Sequence, residues 1–600
     1  MKTRPIVPLG VVFVACAAWF AATRGIASAT RADETPALQQ RVPPADFVLR
    51  NGKIVTVDDE KPEAQALAVR GDTIAAVGSN QEIQAYIGAA TKVIDLKGAL
   101  ATPGFIDAHV HFTGVGDAAK NLKLATAKSW DEIVRMVGEA AQKARPGEWI
   151  LGRGWHQEKW TAAPSPNVEG FPLHDALSKA APNNPVWLTH ASGHAGFSNA
   201  LAMKMAEVTK ATPDPDGGKI LRDKDGNATG LFNERAQSIV AGALARDLAT
   251  RTPAKVEADL REVIDLAARE ALSKGLTSVQ DAGSPPLTID VMKKVVDERR
   301  LPLRVWMMLR EDAKNLAADM PKYRVVGYGD RRFTVRATKR AIDGALGSRG
   351  AWMLQPYADL PTASGFNTDN LDDVRMIAEL AIKNDYQMAV HAIGDRGNRE
   401  VLNLYEEAFR EHPEKRSREL RWRIEHAQHL NAADIPRFGR LGVIASMQGI
   451  HATSDAPFVL ARLGAARAEE GAYVWQKLMK SGATIANGTD APVEDVDPIP
   501  SFYASVSRRV KDGSVFYPDQ RMSRMEALRS YTINAAFAAF EEAIKGSLRA
   551  GKLADVTVFS KDLMSVPEDQ IPSAKVLYTI VGGKVQYESA PTSSTAAGRP

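Results

Sequence analysis

Six hundred residues, 44% hydrophobic and 25% charged, are enough for a large core and give no sign of general disorder. Lysine and arginine exceed aspartate and glutamate by only 4, which excludes the basic footprint of a nucleic-acid-binding chain. The single cysteine, Cys16, excludes a disulfide framework and a thiolate zinc site.

The chain opens with Lys2 and Arg4, runs through an apolar stretch over residues 6–22 and reaches Ala27-Ser28-Ala29. This is the order of an export signal with a small-residue cleavage site. Residues 1–29 are therefore expected to leave a mature protein that is periplasmic or secreted and free of the membrane. Left uncut, the apolar run approaches spanning length and would anchor the chain. Residues 30–45, with Pro36, Pro43 and Pro44, read as a linker.

Residues 47–57 predict a strand, an Asn51-Gly52 turn and a second strand, a strong hairpin signal. Residues 66–69 and 73–77 flank Arg70-Gly71-Asp72 as another hairpin, and 93–96 add a strand. Similar patterns return at 554–559 and at 576–587 around Gly582-Gly583. Two β segments around a long middle predict one discontinuous β-sandwich domain, 46–103 with 546–588, followed by a disordered tail over 589–600.

The middle, 104–545, alternates apolar strands with helical patterns, which predicts a parallel α/β architecture. Its first strand ends Thr102-Pro103-Gly104-Phe105-Ile106-Asp107-Ala108-His109-Val110-His111. In a strand, His109 and His111 share a face and offer two imidazoles on one wall. Seven further strands are expected at 276–280, 303–309, 333–339, 386–391, 421–426, 443–448 and 484–490. Eight strands with intervening helices predict a TIM-like (β/α)₈ barrel. Residues 114–251 are too long for an ordinary connection and read as an inserted subdomain over the barrel mouth.

Polar residues stand where the predicted strands end, the face on which barrel active sites are built. They are His109, His111, Lys339, His391, His426 and Asp490. Asp490, in Gly488-Thr489-Asp490-Ala491-Pro492, can bind a metal and exchange protons with water. Glu425 is expected to face away from His426, and His412 and His451 to lie on the surface or in loops.

Several of these stretches resemble the amidohydrolase superfamily, in its amidohydrolase-3 or YtcJ-like branch, which includes N-substituted formamide deformylase. They are Pro103-Gly104-Phe105-Ile106-Asp107-Ala108-His109-Val110-His111, Lys339-Arg340-Ala341-Ile342-Asp343-Gly344, Glu425-His426-Ala427-Gln428 and the glycines of Gly546-Ser547-Leu548 and Gly551-Lys552-Leu553-Ala554-Asp555. The resemblance spans residues 46–587 and implies the barrel and a sandwich made from both termini. It also implies a divalent metal, expected to be Zn²⁺ as one ion or two, on His109, His111, His391, His426 and Asp490. Lys339 would be an N-carboxylated ligand bridging two ions. The resemblance favours His426 over His429, which lies beyond the strand.

Within the insertion, Trp149–Trp155 and Ser192–Asn199 resemble the same branch, and His194 and Trp155 are expected at the substrate. His156 stands where many relatives have aspartate. The expected activity is hydrolysis of a C–N bond in a small molecule, amide-like and N-acyl or N-formyl, by metal-bound hydroxide, with Asp490 as proton shuttle. The rivals are an esterase or lactonase on the same site and a non-catalytic binding protein on the same barrel.

Overall fold

The computed structural model describes residues 42–590, so the expected leader, most of the linker and most of the tail lie outside the described residues. Eight strands form the barrel: β1 (Phe105–Val110), β2 (Leu276–Ser284), β3 (Arg304–Leu309), β4 (Phe333–Ala341), β5 (Gln387–Ala392), β6 (Arg423–His426), β7 (Ile444–Gln448) and β8 (Ile485–Gly488). Neighbours pair in parallel from β1 through to β8. The ring closes just past the end of β8, where Asp490 N–H donates to His109 O at 2.7 Å and His111 N–H to Ala491 O at 2.8 Å. The Asp107 carboxylate latches this seam by accepting from Thr489 N at 3.1 Å and Thr489 Oγ1 at 2.5 Å. Gly488 is needed at the seam, because an added Cβ would lie 2.4 Å from His109 N.

The strands read as nearly continuous apolar runs because both faces are covered. On β3 the alternation is visible: Val305, Met307 and Leu309 join the layer under the helices, while Trp306 and Met308 pack with Ala337 and Ala389 in a second cluster. Lys339 and His391 lie two residues beyond Ala337 and Ala389. They therefore continue the face of that second cluster.

Strands from both chain ends share a sheet. Val556–Phe559 pairs antiparallel with Leu100–Pro103, which pairs in parallel with Lys53–Val55. A four-stranded sheet of Phe47–Arg50, Ala66–Arg70, Thr73–Gly78 and Lys92–Asp95 packs against it through Leu49, Leu67, Val69, Val556 and Val558. The Asn51-Gly52 hairpin is corrected here: its two strands enter different sheets. Asn51 has φ 57°, and Gly52 lies so close to Leu96 that a Cβ would meet its Cδ1 at 2.4 Å. The left-handed corner carries the chain across the sandwich instead of folding it back.

One buried ion pair ties sandwich to barrel. Arg304 on β3 donates to Asp555 at 2.7 and 2.9 Å, and Gly582 N–H adds a bond at 2.8 Å. Burial alone would raise the Asp555 pKa, but the Arg304 guanidinium outweighs it and holds the carboxyl below its usual value. A depressed carboxylate stabilises the fold above its unfolded pKa, near 4, and loses that contribution as pH falls toward the folded value. Asp555→Asn is expected to cost about 3–5 kcal/mol at neutral pH, because it leaves a buried guanidinium uncompensated. The deficit should shrink in acid. Equal denaturation midpoints for mutant and wild type at neutral pH would refute this.

Between β1 and β2 a six-stranded sheet runs from Leu122–Lys123 to Ala228–Glu234 in chain order. It reaches the ends of the barrel strands through Arg153, whose Nε donates to Pro492 O at 3.1 Å, and through His194, whose ring lies 6.4 Å from that of His391. A second long connection, residues 342–370 after β4, holds no helix and no strand longer than a bridge. The sequence reading did not anticipate it. Asp343 anchors it by accepting N–H bonds from Trp352, Ile393 and Gly394 at 2.8–2.9 Å.

Candidate metal centre

The end of β1 meets the turn after β8. His109 Nε2 and His111 Nε2 lie 3.4 and 3.3 Å from Asp490 Oδ1. Asp490 sits at φ 58°, a left-handed conformation that L residues adopt at a cost. Burial would raise its pKa, but the His109 and His111 imidazoles beside it prevail and hold the carboxyl well below its usual value.

Behind His109, Nδ1 contacts Glu425 Oε2, and Arg423 donates to the same carboxylate at 2.6 and 2.9 Å. All three side chains are buried. Burial opposes the charge on Glu425, while Arg423 and His109 together pull its pKa well below the usual carboxylate range. An ionised Glu425 accepts the Nδ1 proton, which leaves the His109 Nε2 lone pair facing Asp490.

His426 is fixed in the same sense. Its Nδ1 lies 2.8 Å from Gln448 Oε1, which can only accept. Its ring stands 4.6 Å from that of His109 and 4.5 Å from that of His391. Here a second expectation is corrected. His426 and Ala427 have φ 77° and 45°, so the chain leaves the strand alternation at His426. Glu425, expected to face away, serves the same centre as His426. The Arg423-x-Glu425 spacing was the available signal, since residues two apart share a strand face.

His391 is the penultimate residue of β5, with Nε2 3.4 Å from Asp343 Oδ1. Burial foremost, with Lys339 adding, holds His391 well below its ordinary pKa; burial, with His391 and His109 adding, does the same for His426. Both are therefore neutral, the form that binds metal. Asp343, buried, is pushed up to about 7 against its three backbone donors. Lys339 on β4 is 4% exposed, with Nζ 3.4 Å from Ala282 O. Burial brings its pKa down to about 8, reinforced by Arg310 and opposed by Glu425.

His194 Nδ1 lies 2.8 Å from Glu234 Oε2, while Ser348 donates to Glu234 Oε1 at 2.9 Å. Burial disfavours the His194 cation, yet the Glu234 carboxylate overrides it and raises the pKa. Trp155, expected at the substrate, is corrected: it is 0% exposed, packs in the core of the insertion, and donates its indole N–H to Leu188 O at 2.8 Å. His429 packs edge-on against Tyr473, away from the histidine cluster. His451 is a residue the sequence reading missed. Expected on the surface or in a loop, it stands in a helix, 6% exposed, with Nε2 4.0 Å from Asp490 Oδ2.

The donor set suits a divalent cation. His109, His111 and Asp490 bring ligand atoms within 4.8 Å of one another, and so do His426, His451 and Asp490. His109 Nε2, His391 Nε2 and Asp490 Oδ1 are buried with no hydrogen-bond partner among the described residues. Buried polar atoms are ordinarily satisfied. Several converging lone pairs left without protons are what a metal site offers.

A model of the amidohydrolase family matches residues 92–587. The chain is 34% identical over 576 residues to Protein LONG AFTER FAR-RED 3 of Arabidopsis thaliana, covering 92% of this chain and 94% of the relative. It is 27% identical over 559 residues to N-substituted formamide deformylase of Arthrobacter pascens, covering 90% and 98%. The crystal structure of an uncharacterised metal-dependent hydrolase from Pyrococcus furiosus, 27% identical, superposes with a TM-score of 0.67 over 86% of this chain and 100% of that one. With the barrel, the converging imidazoles and a family match over most of its length, the chain belongs to the amidohydrolase family and is a metal-dependent hydrolase.

Proposed function

We propose that the protein hydrolyses an amide-type C–N bond, N-acyl or N-formyl, in a small molecule. The observation that carries this is Asp490: its Oδ1 stands 3.3–3.4 Å from two imidazoles and, though buried, has no hydrogen-bond partner among the described residues. A binding protein has no need of an ionised carboxylate aimed at its centre. The likeness to N-substituted formamide deformylase supports the N-formyl arm.

His109, His111, His391, His426, Asp490 and a carboxylated Lys339 would hold the cation, Zn²⁺ in one or two copies. A divalent cation there supplies Lewis acidity, which makes water a nucleophile near neutral pH and polarises a carbonyl. Lys339 fits only when modified, since a free ammonium repels a cation. A pKa brought down to about 8 makes the neutral amine, the form that reacts with carbon dioxide, more accessible. Asp490 takes the water proton as the new C–O bond forms and returns it to nitrogen as the C–N bond breaks. The products are a carboxylic acid and an amine. His194, held by Glu234, presents its other ring nitrogen toward the substrate oxygen.

The test is turnover of N-formyl and N-acyl compounds, with esters and lactones alongside, by protein of measured zinc content. Cleavage of esters alone would sink the C–N reading. Lys339→Ala is expected to lose activity and part of the metal, with partial rescue by a small added carboxylate. Full metal and full turnover in that variant would remove Lys339 from the centre.

A further inference from the structure

His451 is the third residue of the short helix Gly449–Ser454 directly after β7. The helix is pinned: a Cβ on Gly449 would lie 2.2 Å from Ser505 Oγ and 2.4 Å from Ser501 O, and Ile450 N–H donates to Ser501 Oγ at 3.0 Å. The His451 ring lies nearly parallel to that of His426, at 6.3 Å and 19°. Proximity alone groups it with His426 and Asp490 as a cation ligand. Its hydrogen bonding says otherwise.

Gln428 Nε2 lies 3.0 Å from His451 Nδ1. An amide nitrogen only donates, so Nδ1 is the acceptor and the ring proton sits on Nε2. His109 and His426 are held the opposite way: each gives its Nδ1 proton to an oxygen, of Glu425 or of Gln448, and keeps a lone pair on Nε2. A protonated nitrogen cannot ligate a metal. His451 Nε2 is buried and has no hydrogen-bond partner among the described residues.

The 4.0 Å gap between His451 Nε2 and Asp490 Oδ2 is too long for a hydrogen bond. One oxygen fits between them at about 2.8 Å from each. That oxygen must accept from His451 and donate to Asp490, so it is a hydroxyl-type oxygen and not a carbonyl. Asp490 Oδ1 is turned to His109 and His111, which leaves Oδ2 for this contact.

Resting on the hydrolytic reading above, we propose that His451 is a catalytic hydrogen-bond donor that holds the attacking water against Asp490, and is not a cation ligand. As the C–O bond forms, the water proton passes to Asp490 and from there to the leaving nitrogen. His451 keeps its own proton throughout.

The experiment uses zinc-loaded enzyme labelled with ¹⁵N-histidine, with His451 assigned by its disappearance in His451→Ala. Long-range ¹H–¹⁵N spectra should show Nε2 protonated and Nδ1 bare. A bare or zinc-shifted Nε2 would overturn the proposal. His451→Ala should keep its zinc and lose about 10²-fold in kcat, the scale of removing one preorganised donor. Loss of zinc, or an undiminished kcat, would also overturn it. Gln428→Leu leaves His451 in place but frees its tautomer, so kcat should fall less, again with zinc retained. If wild type cleaves none of the N-formyl or N-acyl compounds while the spectra place the proton on Nε2, the C–N reading fails and the exclusion of His451 from the ligand set stands.

Discussion

Asp490→Asn is expected to fold, to retain most histidine-bound metal, and to lose at least about 10²-fold in kcat. The substitution keeps the size of the side chain and removes its basicity. An amine leaves poorly unless it is protonated, so a carboxylate that has taken the water proton serves both halves of the reaction. In wild type, burial opposes the charge on Asp490, but the adjacent His109 and His111 imidazoles keep its pKa well below the ordinary value. Its base form therefore persists into acid, and rates should fall only on the acidic side as the carboxylate or its imidazole partners gain protons. The asparagine variant should show a changed acidic limb. The measurement is kcat against pH for both proteins on the best compound of the screen. Full metal, normal turnover and an unchanged profile in the variant would require the shuttle to be sought elsewhere.

The second large effect concerns His109 and His111. Replacing both by Ala removes two imidazoles from the face of Asp490 and is expected to abolish most metal binding, with activity falling in parallel. Glu425→Gln provides the graded comparison. It leaves both ligands in place but weakens the acceptor that orients His109, and losing such an outer partner costs about 10–100-fold in metal affinity. Zinc titration of the apo-proteins reads both effects. The expected order is wild type, then Glu425→Gln, then the double mutant. Full zinc occupancy in the double mutant would show the centre to lie elsewhere.

The barrel and the identity of most centre residues were legible from local pattern. Side chains alternate along a strand, and polar groups at strand ends stand out against apolar runs. That reasoning picked out His109, His111, Lys339, His391, His426 and Asp490, each of which lies within two residues of the end of a barrel strand. The pairing of residues near Leu100 with residues near Val556 was also foreseeable, since both ends carried unmatched β patterns.

Other features depend on distant residues or on single backbone angles, and local pattern does not encode these. Alternation assigned Glu425 and His426 to opposite sides, but φ 77° at His426 brings both to His109. Local pattern left His451 as a surface or loop residue, yet its helix packs closely on Ser501 and Ser505 through Gly449 and the ring lies near Asp490. Asn51-Gly52 carries the signature of a hairpin, and tertiary packing sends its flanking strands to different sheets. Trp155 matched a motif near the substrate but fills the core of the insertion. By itself the sequence determined which residues end strands and could meet at one face. Only the tertiary structure decided which nitrogen of each imidazole is bare and which carries the proton, because that depends on partners such as Glu425, Gln448 and Gln428, brought into place by the fold.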